Sequence, residues 1–277
     1  MSFLKKTLAS FGIGSAKVDS VLQQEVLYPG KKASIMVHVY GGAQPQEIDN
    51  IDLNLCCRYV KEVTMNSQRQ EGGQTRRMHQ TYSLAKWSLP YAFVIQPGET
   101  RDFECEFDVP LNTPVTIGDS KVWLETGLDI AMAIDPSDKD ILTVRPDALL
   151  DGIFNELEAQ GLRIRQVECE AVEGFELPFV QEFEFVPTTG PYHGRWRELE
   201  VVAHRDETEL KLWFEIDRNR DGAKGMLASL LGVGQLQRQL SVPLDTSPEE
   251  AGKMVVEYLD WFFSFREPSL ITQFRRH

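Results

Sequence analysis

Apolar residues recur at every second position in one segment of this chain after another, a period that points to half-buried β-strands. The segment ASIMVHV, 33–39, turns Ile35, Val37 and Val39 to one side, and IDLNLCCRY, 51–59, does the same with Ile51, Leu53, Leu55, Cys57 and Tyr59. DFECEFDV, 102–109, presents Phe103, Cys105, Phe107 and Val109. KVWLETGLDI, 121–130, presents Val122, Leu124, Thr126, Leu128 and Ile130. The pattern resumes in FVQEFEFVP (179–187), ELEVVAH (198–204) and ELKLWFEID (209–217), the last with Leu210, Leu212, Phe214 and Ile216 inward and Trp213 outward. Side chains of a strand alternate between faces, so these segments read as antiparallel strands with one wet side.

Punctuation supports that reading. LYPGKK (27–32) and IQPGET (95–100) each carry Pro-Gly, with proline fixing φ at the first corner and glycine supplying positive φ at the second. These are type II turns between strands. The polar, glycine-bearing stretch from Met65 to Gln80 reads as a long, partly mobile hairpin tip. Three segments switch to helical period. Phe3, Leu4, Leu8 and Phe11 share one side of a short helix at 3–12. Leu149, Leu150, Ile153, Phe154 and Leu157 form a stripe between Pro146 and Gly161. TSPEEAGKMVVEYLDWFF opens on a capping box from Ser247 to Glu250, with Pro248 at the first helical position. Its stripe is Ala251, Met254, Val255, Tyr258, Leu259, Phe262 and Phe263. A further short helix is read in AKGMLASLLG, ending at Gly232.

The resulting division places an N-terminal β-sandwich at 1–146, a connecting helix at 147–161, a C-terminal β-sandwich at 162–245, and an amphipathic helix with its tail at 246–277. The fold class is all-β. A length of 277 residues supplies a core that needs no disulfides. No CxxC occurs, and Cys56 and Cys57, as strand neighbours, point to opposite faces, so reduced buried thiols are expected. The start of the chain lacks the apolar core of a signal peptide, and a cytoplasmic location is expected.

Charge narrows the partners. The formal net charge of −13 argues against nucleic acid, whose phosphates need clustered Lys and Arg. It also disfavours broad contact with anionic lipid, leaving membrane contact to the N-terminal helix alone. Two acidic clusters could hold a hard cation. Asp217, Asn219 and Asp221 open a D-x-N-x-D-G loop, but the twelfth position, which supplies the closing Glu in an EF-hand, is Ala228. Asp135, Asp138 and Asp140 lie in AIDPSDKDIL, where turn chemistry accounts for them without a metal. Asp102, Glu104, Glu106 and Asp108 form a row of like charges on one strand face, fit to receive a basic partner or to guard a sheet edge. There is no G-x-S-x-G, and the five histidines are scattered. Neither cofactor nor metal is expected.

Three long phrases add a resemblance. FLKKTLASFGIGSAKVD, PLNTPVTIGDSKVWLETGLDIAMAIDPSDKDILTVRP and LPFVQEFEFVPTTGPYHGRWRELEVV are similar to the bacterial sporulation-control protein family, over a stretch from Ser2 to about Asp217. The resemblance implies two tandem arrestin-like β-sandwiches and a regulatory or scaffold role through protein contacts in stress or developmental signalling. It implies no catalytic residues. The expected partners are unidentified proteins, with contact residues Trp123 and Trp213 as exposed aromatics and Phe3, Leu4, Leu8 and Phe11 on the N-terminal helix. Two alternatives stand beside this reading: a metal-dependent or carbohydrate-acting β-sandwich enzyme, and a peripheral membrane adaptor.

Overall fold

The structure is a computed structural model that describes residues 14–65, 74–130, 135–217 and 239–264. The expected helix at 3–12, the short helix ending at Gly232, and the positions Asn219 and Asp221 lie outside the described residues. The chain is mainly β and divides into two compact units, Met1–Arg145 and Pro146–His277.

In the first unit, strands β1 (Lys17–Leu22), β2 (Lys32–Tyr40) and β6 (Thr100–Asp108) form an antiparallel sheet in the order β1-β2-β6. Facing it is a second sheet. There β3 (Gln46–Met65) pairs with β4 (Gln74–Leu89), β5 (Phe93–Ile95) and β7 (Val122–Ile130), and β7 pairs with β8 (Ser137–Leu142). The alternation seen in the sequence sets which side is buried: Ile35, Val37 and Val39 from β2, with Ile51, Leu53 and Leu55 from β3, are all buried. Trp87 of β4 lies 4.8 Å from Phe107 of β6, closing the sandwich from the other side. Both Pro-Gly turns form as expected. Lys31 N donates to Tyr28 O at 3.2 Å and Glu99 N to Gln96 O at 3.0 Å, with Gly30 at φ 74 and Gly98 at φ 73. All four cysteines are free and buried.

The hairpin tip is shorter than the sequence suggested. Residues Gln74–Gln80 are strand, paired back onto Tyr59–Met65 of β3 with Glu62 opposite Arg77. Arg76, Arg77 and His79 are exposed, and the backbone ladder pairs the ribbon through Val60–His79, Lys61–Met78 and Val63–Arg76. Residues 66–73 lie outside the described set.

In the second unit, β9 (Leu162–Ala171), β10 (Phe179–Pro187), β11 (Glu198–Arg205), β12 (Glu209–Asp217) and β13 (Gln239–Pro243) form one antiparallel sheet in that order. Val167, Phe183, Val201 and Phe214 fall in one row across four strands, an apolar band dictated by register. Among the described residues, that face is covered by α1 (Ala148–Ala159) and α2 (Pro248–Ser264). Phe154 of α1 sits 4.8 Å from Phe183, and Tyr258 of α2 sits 5.4 Å from Phe214. Both helices start as the sequence predicts. Asp147 Oδ1 accepts from Leu150 N at 2.9 Å, and Ser247 Oγ accepts from Glu250 N at 3.2 Å. Gly161 at φ 86 follows the end of α1. The helix read as a connector therefore belongs to the core of the second unit: Leu149, Leu150, Ile153, Phe154 and Leu157 are buried there.

The two helices cross through glycines. A Cβ on Gly252 would lie 2.6 Å from Glu156 Cβ and 3.0 Å from Gly152 O, and one on Gly152 would lie 2.4 Å from Pro248 O. Helix propensity alone favours Gly252→Ala by roughly 1 kcal/mol. The clash is with a Cβ and a carbonyl rather than a flexible side-chain end, so overpacking of about 1–3 kcal/mol should win. Gly252→Ala is expected to lower the urea midpoint with the slope unchanged.

Candidate functional site

The outward face of the β1-β2-β6 sheet gathers the row of acids noted in the sequence. Asp102, Glu104, Glu106 and Asp108 are all exposed on β6. The neighbouring strand answers them unevenly. His38 Nδ1 is 2.7 Å from Asp102 Oδ1, and Lys32 Nζ is 3.4 Å from Asp108 Oδ1. Ser34 Oγ donates to Glu106 at 3.4 Å, a long bond, and Glu104 stands opposite Met36. Like charges two residues apart on one face repel, and one lysine and one imidazole compensate only the ends of the row. The face is acidic, wet and bounded by the last strand of its sheet.

The Asp135, Asp138, Asp140 cluster has a structural role. Asp138 and Asp140 point inward from β8 toward β1. Asp138 Oδ2 accepts from Ser20 N at 3.1 Å and Asp140 Oδ2 from Ser20 Oγ at 2.7 Å, while Thr126 Oγ1 donates to Ser20 Oγ at 3.0 Å. Asp135 Oδ1 accepts from Ile130 N at 3.1 Å. Asp138 and Asp140 tie the two sheets of the first unit together across more than a hundred residues of sequence.

Trp123 is not the exposed anchor that its outward strand position suggested. It is 5% exposed. Its Nε1 donates to Glu125 Oε1 at 2.7 Å, and Lys139 from β8 lies over its ring with Nζ 3.9 Å from the centroid. The ammonium makes a cation–π contact with the indole face while the lysine side chain stays partly exposed. Beside it, Cys56 Sγ contacts Glu125, and burial together with that carboxylate pushes its thiol up to about 11. The exposed residue here is Ile141, at 67%. Trp213 is half-buried rather than free. It packs with Val180, Val202, Val172 and Phe175, its ring 5.5 Å from Phe175.

Trp213 lies on the second face of the β9–β13 sheet, the one opposite the helices, and that face holds a group of acids that strand-by-strand reading missed. Register sets Glu182 directly against Glu168 and Glu184 against Glu200, which in turn faces Glu215. Arg165 pairs with Glu184 and with Glu198, the latter at 2.8 Å. Glu182 Oε2 is buried and, among the described residues, has no hydrogen-bond partner. Burial, followed by the charges of Glu200, Glu170, Glu168 and Glu215, raises the Glu182 carboxyl to about 8. Glu182 is therefore largely protonated at neutral pH. His204, on the same face, is shifted down by burial. A signal was present in the sequence: outward positions of four successive strands carry Glu, in ECE, QEFEF, ELEV and FEID.

Comparison with known proteins follows on this geometry. The SpoOM protein family model matches residues 4–220. The chain belongs to that family. It is 38% identical over 267 residues to "Sporulation-control protein spo0M" of Bacillus subtilis (strain 168), an alignment covering 95% of this chain and 99% of that protein. The crystal structure of Spo0M, sporulation control protein, from Bacillus subtilis is similar at a TM-score of 0.74 and 34% identity, covering 90% of this chain and 100% of that one. The family resemblance read from the three long phrases is thereby confirmed. In this SpoOM family member, Phe3, Leu4, Leu8 and Phe11 lie outside the described residues. No helix among the described residues is long and apolar enough to cross a membrane.

Proposed function

We propose that this SpoOM family member is a non-enzymatic regulatory or scaffold protein of the sporulation-control type, acting through protein–protein contacts in stress or developmental signalling. The observation that carries this reading is the extent of its similarity to the Bacillus subtilis sporulation-control protein, which spans 95% of this chain and 99% of that one. The contacts of several polar side chains fit the reading. Asp138 and Asp140 hold Ser20, Glu125 holds Trp123, and Arg165 holds Glu184 and Glu198. Such groups fasten strands, leaving outer faces and edges for partners.

The test is in vivo cross-linking of the tagged full chain in its native host, followed by identification of the attached proteins and by deletion of the gene. The expected result is a reproducible set of cross-linked proteins and a defect in development or stress response on deletion. Deletion without such a defect, together with absence of specific cross-links, would sink the reading.

A further inference from the structure

We propose that the outer edge of β6 receives a basic, extended peptide segment of a partner protein, which adds a fourth strand to the β1-β2-β6 sheet. This deepens the reading of the chain as a protein that works by contacts, and rests on it. Among the described residues β6 is the last strand of its sheet, so half of its backbone N–H and C=O groups have no described strand beyond them. Its nine residues from Thr100 to Asp108 are paired to β2 without a register break, which leaves a regular template rather than a bulged one. An edge of this kind is the surface that extended peptides join, with main-chain bonds giving affinity and alternating side chains giving selectivity.

Charge decides the occupant. On the outer face an added strand would meet Asp102, Glu104, Glu106 and Asp108, all exposed. Of these, Asp102 faces His38, Asp108 faces Lys32, and Glu106, among the described residues, reaches the Ser34 hydroxyl at 3.4 Å. Glu104 stands opposite Met36, with neither an ion pair nor a hydrogen bond among the described residues. Lys or Arg at alternate positions of the incoming strand would complete the row. A second copy pairing β6 with β6 would set carboxylates against carboxylates, a destabilising arrangement. The inner positions ask for apolar residues, because Phe103, half-buried, stacks on the exposed Tyr91 at 5.0 Å and Cys105 and Phe107 continue the core. The motif is thus basic and apolar residues in alternation.

The probe is a labelled peptide of about ten residues alternating Lys and Val, titrated onto the full chain. Binding should slow hydrogen exchange at the amides of residues 102–108. Raising salt from about 50 mM to about 500 mM should weaken it about tenfold or more, since exposed charges are screened. The double variant Glu104→Lys/Glu106→Lys should weaken it at least as much, and both sites are exposed, so folding is retained and checked by circular dichroism. Equal binding of a peptide N-methylated at alternate backbone nitrogens overturns the strand pairing, as does absence of binding. A dimer that sediments as such and disappears in the double variant assigns the edge to a second copy and also overturns the proposal. Host proteins that cross-link equally to the wild-type and double-variant chains remove β6 from the contact while the wider functional reading stands. Peptide binding at β6 with no host protein cross-linked and no defect on deletion sinks that wider reading instead.

Discussion

Replacing Arg205 with leucine should lower the unfolding free energy by about 3–5 kcal/mol, the cost of breaking a buried ion pair from one side. Arg205 is 8% exposed, at the end of β11, and its Nη1 pairs with Asp147 Oδ2. Asp147 also caps α1, accepting from Leu150 N at 2.9 Å through its other oxygen. One carboxylate thus joins the helix start to the sheet. In Arg205→Leu that carboxylate keeps its cap but loses the cation that balances it. Asp147→Asn keeps a good capping residue while leaving the guanidinium buried without its counter-charge. The double variant should cost less than the two single variants summed, because it removes both charges. Urea unfolding of the four proteins measures the cycle. A loss below about 1 kcal/mol in Arg205→Leu would mean that the pair does not anchor α1.

The second large effect is a fall in stability as pH rises from 5 to 8. The Glu182 carboxyl moves from the usual 4.5 to about 8, so in that window the folded chain holds a proton that the unfolded chain has released. Stability from this site is complete below 4.5, decreases as pH rises, and levels off above about 8. The slope from this group alone approaches about 1.4 kcal/mol per pH unit in the middle of the window. His204 acts in the opposite sense. Its depressed pKa makes the unfolded chain bind more protons just below 6.5. The informative measurement is therefore the difference between wild type and Glu182→Gln. The variant mimics the protonated acid, so it should match wild type near pH 5 and exceed it near pH 8. Parallel curves for the two proteins would show that Glu182 carries no shifted proton. The carboxylates Asp206 and Glu99, both held below the usual range by hydrogen bonds, titrate outside this window.

Elements were legible where a local rule acted alone. Alternation in 33–39, 51–59 and 209–217 gave strands whose inward residues are buried, except Tyr59 and Ile216 at the strand ends, which are half-buried, and the Pro-Gly turns closed as read. Ser247 caps its helix as read, because capping depends on residues within one turn, while the Asp147 cap emerged only with the structure. The site was much less legible. Trp123 sat outward on β7 as expected, but Lys139 covers it, and nothing within β7 announces β8 as the neighbour. The helix at 148–159 showed its stripe plainly, yet only the phenylalanines of β10 reveal what the stripe is for.

By itself the sequence determined the regularly alternating strands, the helices α1 and α2 and the apolar side of each, because those depend on neighbours a few residues apart; β1, β4, β5, β8, β9 and β13 became apparent only in the structure. Tertiary structure alone decided what each outward side chain meets. Ser20 finds Asp138 and Asp140 across 118 and 120 residues, and Glu182 lies among Glu168, Glu170, Glu200 and Glu215 through the register of four strands. Pairing order and register bring those groups together, and the electrostatics of a face follow from them rather than from any one strand.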